Sequence, residues 1–410
     1  MAQRLCAVER QIMKKAIVMG SVVLDITPVL GQKEKRPLEQ IFAQGKVTDL
    51  SSVAVYLGGC VGNTGVAMHR LGVPVRLCCK VGNDFAGSAV ETLLKKQGVP
   101  CTLMRDETLP TSVGIALTPP GMDKVSFFLK GASQYTLAAD AEAAALADTD
   151  LLHFGYPTTM RSMYRQNGEE LRRFMYRAKQ AGVTCSMDTA LPPLESEAGK
   201  IDWGPILKHV LPMTDLFVPS YEESVFMLDR PRYARTVRAQ NGENFIDSAT
   251  AEDAAAVADE FLAMGAKVVL LKMGSKGLYL RTAPATALRD MGRAAPSQTD
   301  WASRELWQYP ADVKQIVSAT GAGDVAIAGF LASMLSGGAP EEAMRAATVA
   351  ASLCLRSADT SGKLLPLEEM LRMEAATGVR HRACALPDEH WPYPAKDGLR
   401  AGSRDASAYR

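Results

Sequence analysis

The sequence predicts an α/β protein with a doubly wound, mostly parallel sheet, and two observations support this class. Short apolar stretches rich in Val, Ile and Leu recur along the chain, and helix-like stretches separate them. Because continuous apolar strands that alternate with helices need cover on both faces, they favour a parallel sheet between two helical layers. The strand-like stretches are 16–19, 75–81, 151–154, 183–187, 216–218 and 268–271.

Charge and cysteine usage exclude several classes of partner. The chain of 410 residues carries 46 basic and 45 acidic residues, so no net field attracts nucleic acid or a membrane surface. Its eight cysteines form no CxxC pair. No apolar run reaches membrane-spanning length. We therefore expect reduced cysteines and a cytoplasmic location.

The two ends of the chain differ in composition from its centre. Residues 1–14 are charged throughout and predict a disordered leader, with Met13 as an alternative start. The main domain is expected over 15–375. Residues 376–410 contain scattered charges, His and Pro, which predicts a disordered or loosely docked tail. Two polar stretches, 229–248 and 283–308, are expected to be surface loops.

A second, smaller sheet is predicted from two separate parts of the chain. Residues 111–118 and 124–129 are strand-like on either side of a Pro-Pro-Gly turn, and they are expected to join the polar region that precedes Leu57. Such a sheet, drawn from about 26–57 and 108–130, would form a lid that excludes water from a reactive group. Its edges could also pair two copies of the chain into a homodimer.

The stretch Ser318–Asp324 precedes an apolar run that predicts a buried helix. The glycines around Ala322 permit a tight turn, which would leave the amides of Gly321, Ala322 and Gly323 free at the helix N-terminus. That position favours an anion. Asp324 stands beside it and is suited to accept a proton from an attacking alcohol. An anion cradle next to a base indicates phosphoryl transfer.

A second glycine-rich turn contains Gly58, Gly59 and Asn63 and leads into a helix-like stretch. A dinucleotide-binding turn is excluded because the GxGxxG spacing is absent. The glycines either let a ligand approach the backbone or serve tight helix packing alone. Asn63 could bind hydroxyl groups. Asp25, expected near the end of the first strand, is either a ligand or a turn residue.

Further polar residues follow the strands of the predicted sheet, where ligands of such sheets bind. Each also has a purely structural interpretation. Asp188 could cap a turn, Glu222 and Glu223 could favour the start of a helix, and 273–277 could be only a hairpin turn. The candidates at this edge are Asp188, Ser220, Glu222, Glu223, Lys272, Gly274 and Gly277.

The Gly58–Asn63 turn and the Thr320–Asp324 motif resemble the two signatures of the ribokinase-like (PfkB) carbohydrate kinase family, and the match in order and spacing runs from about 16 to 366. The resemblance implies a ribokinase-like fold with a β lid, ATP as phosphoryl donor and Mg²⁺ as cofactor. It implies Asp324 as general base and the 321–323 amides as anion hole. It also implies substrate-binding roles for Asp25, Gly58, Gly59 and Asn63.

The same resemblance assigns Glu223 to Mg²⁺ through water, and it places Lys272, Gly274, Gly277 and Thr320 along the nucleotide. Several positions depart from the family pattern. Ser220 replaces an Asn, Lys272 replaces a Thr, and Ser318-Ala319 replaces an Asp-Thr pair. The last change removes a carboxylate that helps to bind a monovalent cation in many members, so the resemblance leaves activation by K⁺ open.

The sequence leaves three functions open. The first is an ATP-dependent kinase of a sugar-like alcohol. The second is a nucleoside kinase of the same fold, with Phe127, Phe128 and Tyr156 as candidate walls for a base. The third is a non-catalytic sugar- or nucleotide-sensing protein, which the changes at Ser220 and Ser318 favour and the intact Asp324 opposes.

Overall fold

A computed structural model describes residues 13–31, 38–41, 43–117, 125–140, 146–239, 245–386, 389–393 and 396–409. Most of the predicted leader, the turn between the two lid strands and part of the 229–248 stretch lie outside the described residues.

The strands form two separate sheets. The large sheet has the order β14-β13-β12-β11-β10-β9-β8-β1-β4-β5, and the small sheet has the order β3-β2-β6-β7. The strands are β1 Ala16–Gly20, β2 Val23–Leu30, β3 Leu50–Gly58, β4 Val75–Gly82, β5 Cys101–Asp106, β6 Val113–Leu117, β7 Val125–Leu129, β8 Leu151–Gly155, β9 Thr184–Met187, β10 Leu216–Phe217, β11 Val268–Lys272, β12 Leu278–Thr282, β13 Glu305–Gln308 and β14 Leu399–Ala401.

The large sheet is parallel from β5 to β11, and β12, β13 and β14 extend it in antiparallel pairing. The helices of eight or more residues and the short helix in the early glycine-rich region are numbered in chain order. They are α1 Val66–Arg70, α2 Phe85–Gln97, α3 Glu169–Gln180, α4 Trp203–Val210, α5 Tyr221–Leu228, α6 Arg230–Ala239, α7 Ala251–Ala263, α8 Ala322–Leu335, α9 Pro340–Leu355 and α10 Leu367–Thr377. Single turns of α-helix occur at Leu38–Ile41, Arg161–Tyr164, Ala285–Leu288 and Gln298–Trp301.

Two hydrophobic clusters cover opposite faces of the large sheet, which confirms the predicted doubly wound architecture. One cluster joins Val18 and Leu270 to α8 and α9. The other joins Met19 and Leu271 to α3, α4 and α7. The alternation of neighbouring strand residues between the two clusters follows from the two-residue repeat of a strand. The sheet is therefore buried on both sides.

The strand order of the large sheet reverses at β1. β1 pairs with β4 on one side and with β8 on the other, and ligands of such sheets bind at this kind of switch point. Gly20 ends β1 with a φ of +136°, and a side chain there would lie 1.7 Å from the Gly155 carbonyl oxygen. This close approach lets the chain leave the large sheet and enter the small one at Val23.

The small sheet confirms the predicted pairing of the 111–129 hairpin with the region before Leu57. Asp25, however, lies inside β2 of this sheet, two residues after its start, and not at the end of the first strand. The prediction merged two strands because the apolar run continues through Val22 and Val23 into the next element. Asp25 consequently belongs to the lid.

Two predicted surface loops contain regular structure. Residues 230–239 form α6, and the 283–308 stretch ends in the fully buried strand β13. Trp301 and Trp307 within that stretch are 1% exposed. The polar composition was misleading because Arg304, also buried, pairs with Asp405 from the distant C-terminus.

The described residues of the predicted loose tail include several that pack against the domain. β14 pairs with β13, and Trp391 packs its ring edge-on against the rings of Tyr279 and Trp307. Trp391 is 2% exposed. The expectation of disorder was wrong for the described residues of the tail, since the partners that bury them lie about a hundred positions earlier in the chain.

Candidate active site

The turn before α8 matches the predicted geometry only in part. Gly321 caps the helix with a φ of +79°, a left-handed conformation that favours glycine. The amides of Gly321 and Gly323 have no acceptor among the described residues. The Ala322 amide donates to the Ala319 carbonyl at 3.3 Å. The expectation of three free amides is therefore correct for two and wrong for Ala322, because that N–H closes the turn.

Asp324 lies in the first turn of α8 and is 8% exposed. Its Oδ2 accepts from Asn63 Nδ2 at 3.0 Å, and its Oδ1 accepts from Thr64 Oγ1 at 3.1 Å and from the Tyr156 hydroxyl. Burial raises the pKa of Asp324, while the charge of Lys272 and these hydrogen bonds oppose the rise. A carboxylate with a raised pKa is a stronger base.

Asn63 and Thr64 reach Asp324 from an unusual helical turn. They lie in the π-helical turn Val61–Gly65 that precedes α1, a rare geometry that is frequent at functional sites. The Asn63 Oδ1 also accepts from Thr360 Oγ1 at 3.2 Å. Thus the acceptor atom and one N–H of the Asn63 amide are already used to fix Asp324 and Thr360. Asn63 therefore positions the carboxylate as well as facing the site.

Lys272 and Asp188 form a buried ion pair at the ends of β11 and β9. The Lys272 Nζ lies 2.6 Å from Asp188 Oδ1. Burial raises the pKa of Asp188, and Lys272 opposes that rise. Burial alone would lower the pKa of Lys272, but the carboxylates of Asp188, Glu223 and Asp324 raise it above its ordinary value. The ammonium therefore stays protonated.

Glu223 takes part in a capping box at the start of α5. Its Oε2 accepts from the Ser220 amide at 2.8 Å and from Thr189 Oγ1 at 2.9 Å, and its own amide donates to Ser220 Oγ. Glu222 instead accepts from Tyr233. Among the described residues no three acidic, His or Cys side chains are close enough to hold a metal ion. Since Mg²⁺ usually keeps several waters and is bound through one or two carboxylates plus substrate phosphates, a single carboxylate such as Glu223 is compatible with a magnesium role.

Two cavities meet beside Asp324. The first, here named the lid pocket, has a volume of about 710 Å³ and includes Asp25 and Phe128 of the small sheet. The second, named the helix pocket, has a volume of about 480 Å³ and is bordered by α8 and α9. Lys272, Gly274 and Gly323 line both cavities. These volumes are in the range typical of small-molecule sites.

Most of the predicted residues line one of these cavities. The lid pocket also includes Gly59, Asn63, Asp188, Ser220, Glu223, Thr320, Gly321 and Asp324. The helix pocket also includes Gly277 and Ala322. Gly58 is not among the described lining residues. It instead makes room for Asp25, whose Oδ2 would lie 1.9 Å from a side chain there.

The aromatic candidates separate between the two faces of the lid. Phe128 and Tyr156 line the lid pocket. Phe127 is on the opposite face of β7, because successive residues of a strand alternate. The contacts of Thr64 and Tyr156 with Asp324 and the position of Arg382 in the helix pocket were not predicted. Thr64 directly follows Asn63 in the glycine-rich turn, and this position could have indicated it. No local pattern in the sequence indicated Tyr156 or Arg382.

The fold and the paired cavities define an α/β protein with a ligand site under a small β-sheet. Residues 13–366 match the family described as "pfkB family carbohydrate kinase". The chain therefore belongs to the pfkB family of carbohydrate kinases. The members it resembles include phosphotransferases that act on hydroxyl groups.

Curated relatives include sugar and nucleoside kinases. A 2-dehydro-3-deoxygluconokinase of Bacillus subtilis is 23% identical over 80% of this chain and 89% of that enzyme. A nucleoside kinase of Methanothermobacter thermautotrophicus is 31% identical over 99 residues, which are 23% of this chain and 31% of that enzyme.

Solved structures share the fold at low identity. Arabidopsis thaliana ribokinase complexed with ribose and ATP superposes with a TM-score of 0.63 at 19% identity, covering 88% of this chain and 98% of that one. A putative ribokinase II of E. coli in complex with ATP and Mg²⁺ gives a TM-score of 0.61 at 19% identity, covering 89% and 100%. No helix in the described part of the chain is long and apolar enough to cross a membrane.

Proposed function

We propose that the chain is an ATP-dependent kinase that phosphorylates a hydroxyl group of a small sugar or sugar-like molecule. The observation that carries this proposal is the junction of the two cavities. Lys272, Gly274 and Gly323 line both, and Asp324 stands on the lid-pocket side of the junction. A nucleotide in the helix pocket and an alcohol in the lid pocket would then meet at the free amides of Gly321 and Gly323.

The reaction needs a base, and Asp324 would supply it. A carboxylate offers about four acceptor positions, and Asn63, Thr64 and Tyr156 occupy three of them. The remaining position can accept the proton of the substrate hydroxyl. As the oxygen attacks the terminal phosphorus of ATP, a new P–O bond forms, the bond to the bridging oxygen breaks, and ADP leaves.

The negative charge that spreads over the transferring group needs compensation. The amides of Gly321 and Gly323 and the positive end of the α8 dipole would face that group, and Lys272 would add a protonated amine beside it. Glu223 would hold Mg²⁺ through water, and bound Mg²⁺ would neutralise phosphate charge. Thr320, Gly274 and Gly277 would lie along the nucleotide. Asp25, Gly59 and Asn63 would face the acceptor, with Gly58 placing Asp25.

An acceptor screen tests the proposal. Release of ADP is followed in a coupled assay with ATP, Mg²⁺ and a panel of pentoses, hexoses, sugar acids and nucleosides. We expect at least one acceptor class to stimulate ADP release above the rate without acceptor. If compounds of the panel raise the melting temperature of the protein but none stimulates ADP release, the result would instead support the non-catalytic sensor.

A nucleoside acceptor is the second candidate, and the position of Phe128 and Tyr156 in the lid pocket favours it. Their rings could stack on a base. Phe128→Ala should raise KM for a nucleoside, while Phe127→Ala is the matched control because that ring lies on the opposite face of the same strand. Equal KM values for the two variants would exclude a base-binding role for Phe128.

The lid also suits a homodimer. Val55, Ile26, Ile115 and Phe127 occupy registered positions across all four strands, on the face opposite Asp25 and Phe128. Phe127 is 55% exposed and Val55 is 41% exposed. Sedimentation should show a dimer that Phe127→Asp weakens.

The described cysteines are all free, which supports a cytoplasmic enzyme.

A further inference from the structure

The C-terminal segment forms part of the helix pocket although it lies beyond the family match, which ends at residue 366. Residues 380–382 run along Pro310–Asp312. The Asp312 amide donates to the Arg380 carbonyl at 2.7 Å, and the Arg382 amide donates to the Pro310 carbonyl at 3.0 Å. Residues 310–312 line the helix pocket, and Arg382 lines it with them.

Contacts of the residues before and after Arg382 fix its position. Before it, His381 forms a β-bridge with Ala311. After it, the Cys384 Sγ lies 3.7 Å from the Lys276 carbonyl oxygen, within the glycine turn that joins β11 and β12. Trp391 then buries its ring against Tyr279 and Trp307. The segment is thus a fixed wall beside the Gly274–Gly277 turn.

One cation among the described lining residues of the helix pocket is free of an ion pair. The charged side chains among its described lining residues are Lys272, Asp312 and Arg382. Lys272 is paired with Asp188. Arg382 has no carboxylate partner among the described residues. A polyphosphate in this pocket would therefore meet one uncompensated guanidinium, whose planar fork suits bidentate binding of phosphate oxygens.

Resting on the proposed kinase function, we propose that Arg382 is a nucleotide-binding residue that pairs with the phosphate chain of the donor. The C-terminal segment then contributes directly to donor binding, through a residue outside the part of the chain that the family shares. Arg382 is exposed on the pocket wall, so its replacement should leave the fold intact.

The test is calorimetric titration of the full-length protein with ADP, with a non-hydrolysable ATP analogue and with adenosine. Arg382→Ala should weaken binding of both nucleotides by about 10- to 100-fold, the loss expected for a charge-assisted hydrogen bond. Adenosine binding should not change. Arg382→Lys should be intermediate, because it keeps the charge and loses the fork.

Arg380→Ala is the matched control, since it removes the same charge from the same segment at a side chain that is not among the pocket lining residues. It should bind all three ligands as the unmodified protein does. Wild-type affinity in Arg382→Ala would overturn this inference alone. Equal weakening for adenosine would overturn the phosphate assignment. Failure of the unmodified protein to bind any nucleotide would overturn the proposed function as well.

Discussion

Two regions border the helix pocket, and their positions are fixed by different kinds of interaction. The Ser318–Asp324 turn is set by local geometry, namely the left-handed φ of Gly321 and the start of α8. The described residues of the C-terminus are held by partners far away in sequence, such as Arg304, which binds Asp405 across 101 positions. The proposed chemistry therefore rests on a local motif, whereas the wall of the helix pocket depends on long-range packing.

Because of this difference, substitutions in the two regions should have different effects on turnover and on stability. Changes in the turn should alter turnover and leave stability nearly intact, and changes in the C-terminal anchors should do the reverse.

Asp324→Asn should reduce turnover by roughly 10²–10⁴-fold, as expected for a lost general base, because an amide cannot take the proton from the hydroxyl group of the substrate. Binding of ADP, measured by calorimetry, should be retained. Asp290→Asn, at an exposed position remote from both cavities, is the control and should keep normal turnover. Near-normal turnover of Asp324→Asn would break the assignment of chemistry to the turn.

Asp405→Ala should destabilise the fold by about 3–5 kcal/mol, because it leaves the buried Arg304 guanidinium without a partner on that side. Asp405 is 0% exposed and accepts from Arg304 Nε at 3.0 Å and from the Glu305 amide at 2.8 Å. Urea unfolding measures the change. Asp148→Ala, which breaks an exposed ion pair with Lys15, should cause no measurable change. An equally small effect of Asp405→Ala would show that the C-terminus is only loosely attached.

Tyr156→Phe should move the acid limb of kcat/KM to higher pH. Burial raises the pKa of Asp324, and the Tyr156 hydrogen bond lowers it, so removal of the hydroxyl lets the pKa rise further. The base is active only when deprotonated, and a higher pKa therefore requires a higher pH for the same rate. Tyr164→Phe, in the core away from both cavities, is the control. An unshifted or acid-shifted limb would contradict the contact.

The same distinction explains how much the sequence could predict. The parallel sheet, the lid hairpin and the cradle before Asp324 follow from strand periodicity and from glycine geometry, which are local properties. The burial of Trp301 and β13 within the 283–308 stretch was missed because charged residues such as Arg304 gave the stretch a polar composition. The partners of Arg304 are Glu341 and Asp405, which lie far away in sequence. Tyr156 follows β8 with no motif around it, so its contact with Asp324 became visible only in three dimensions.

The most direct test of the account is a single-turnover reaction with ATP labelled in its terminal phosphate and the acceptor found in the screen. Because the two cavities share Lys272, Gly274 and Gly323, we predict that the label moves to a hydroxyl of the acceptor. Label released as inorganic phosphate, or retained in ATP while both ligands are bound, would contradict the account.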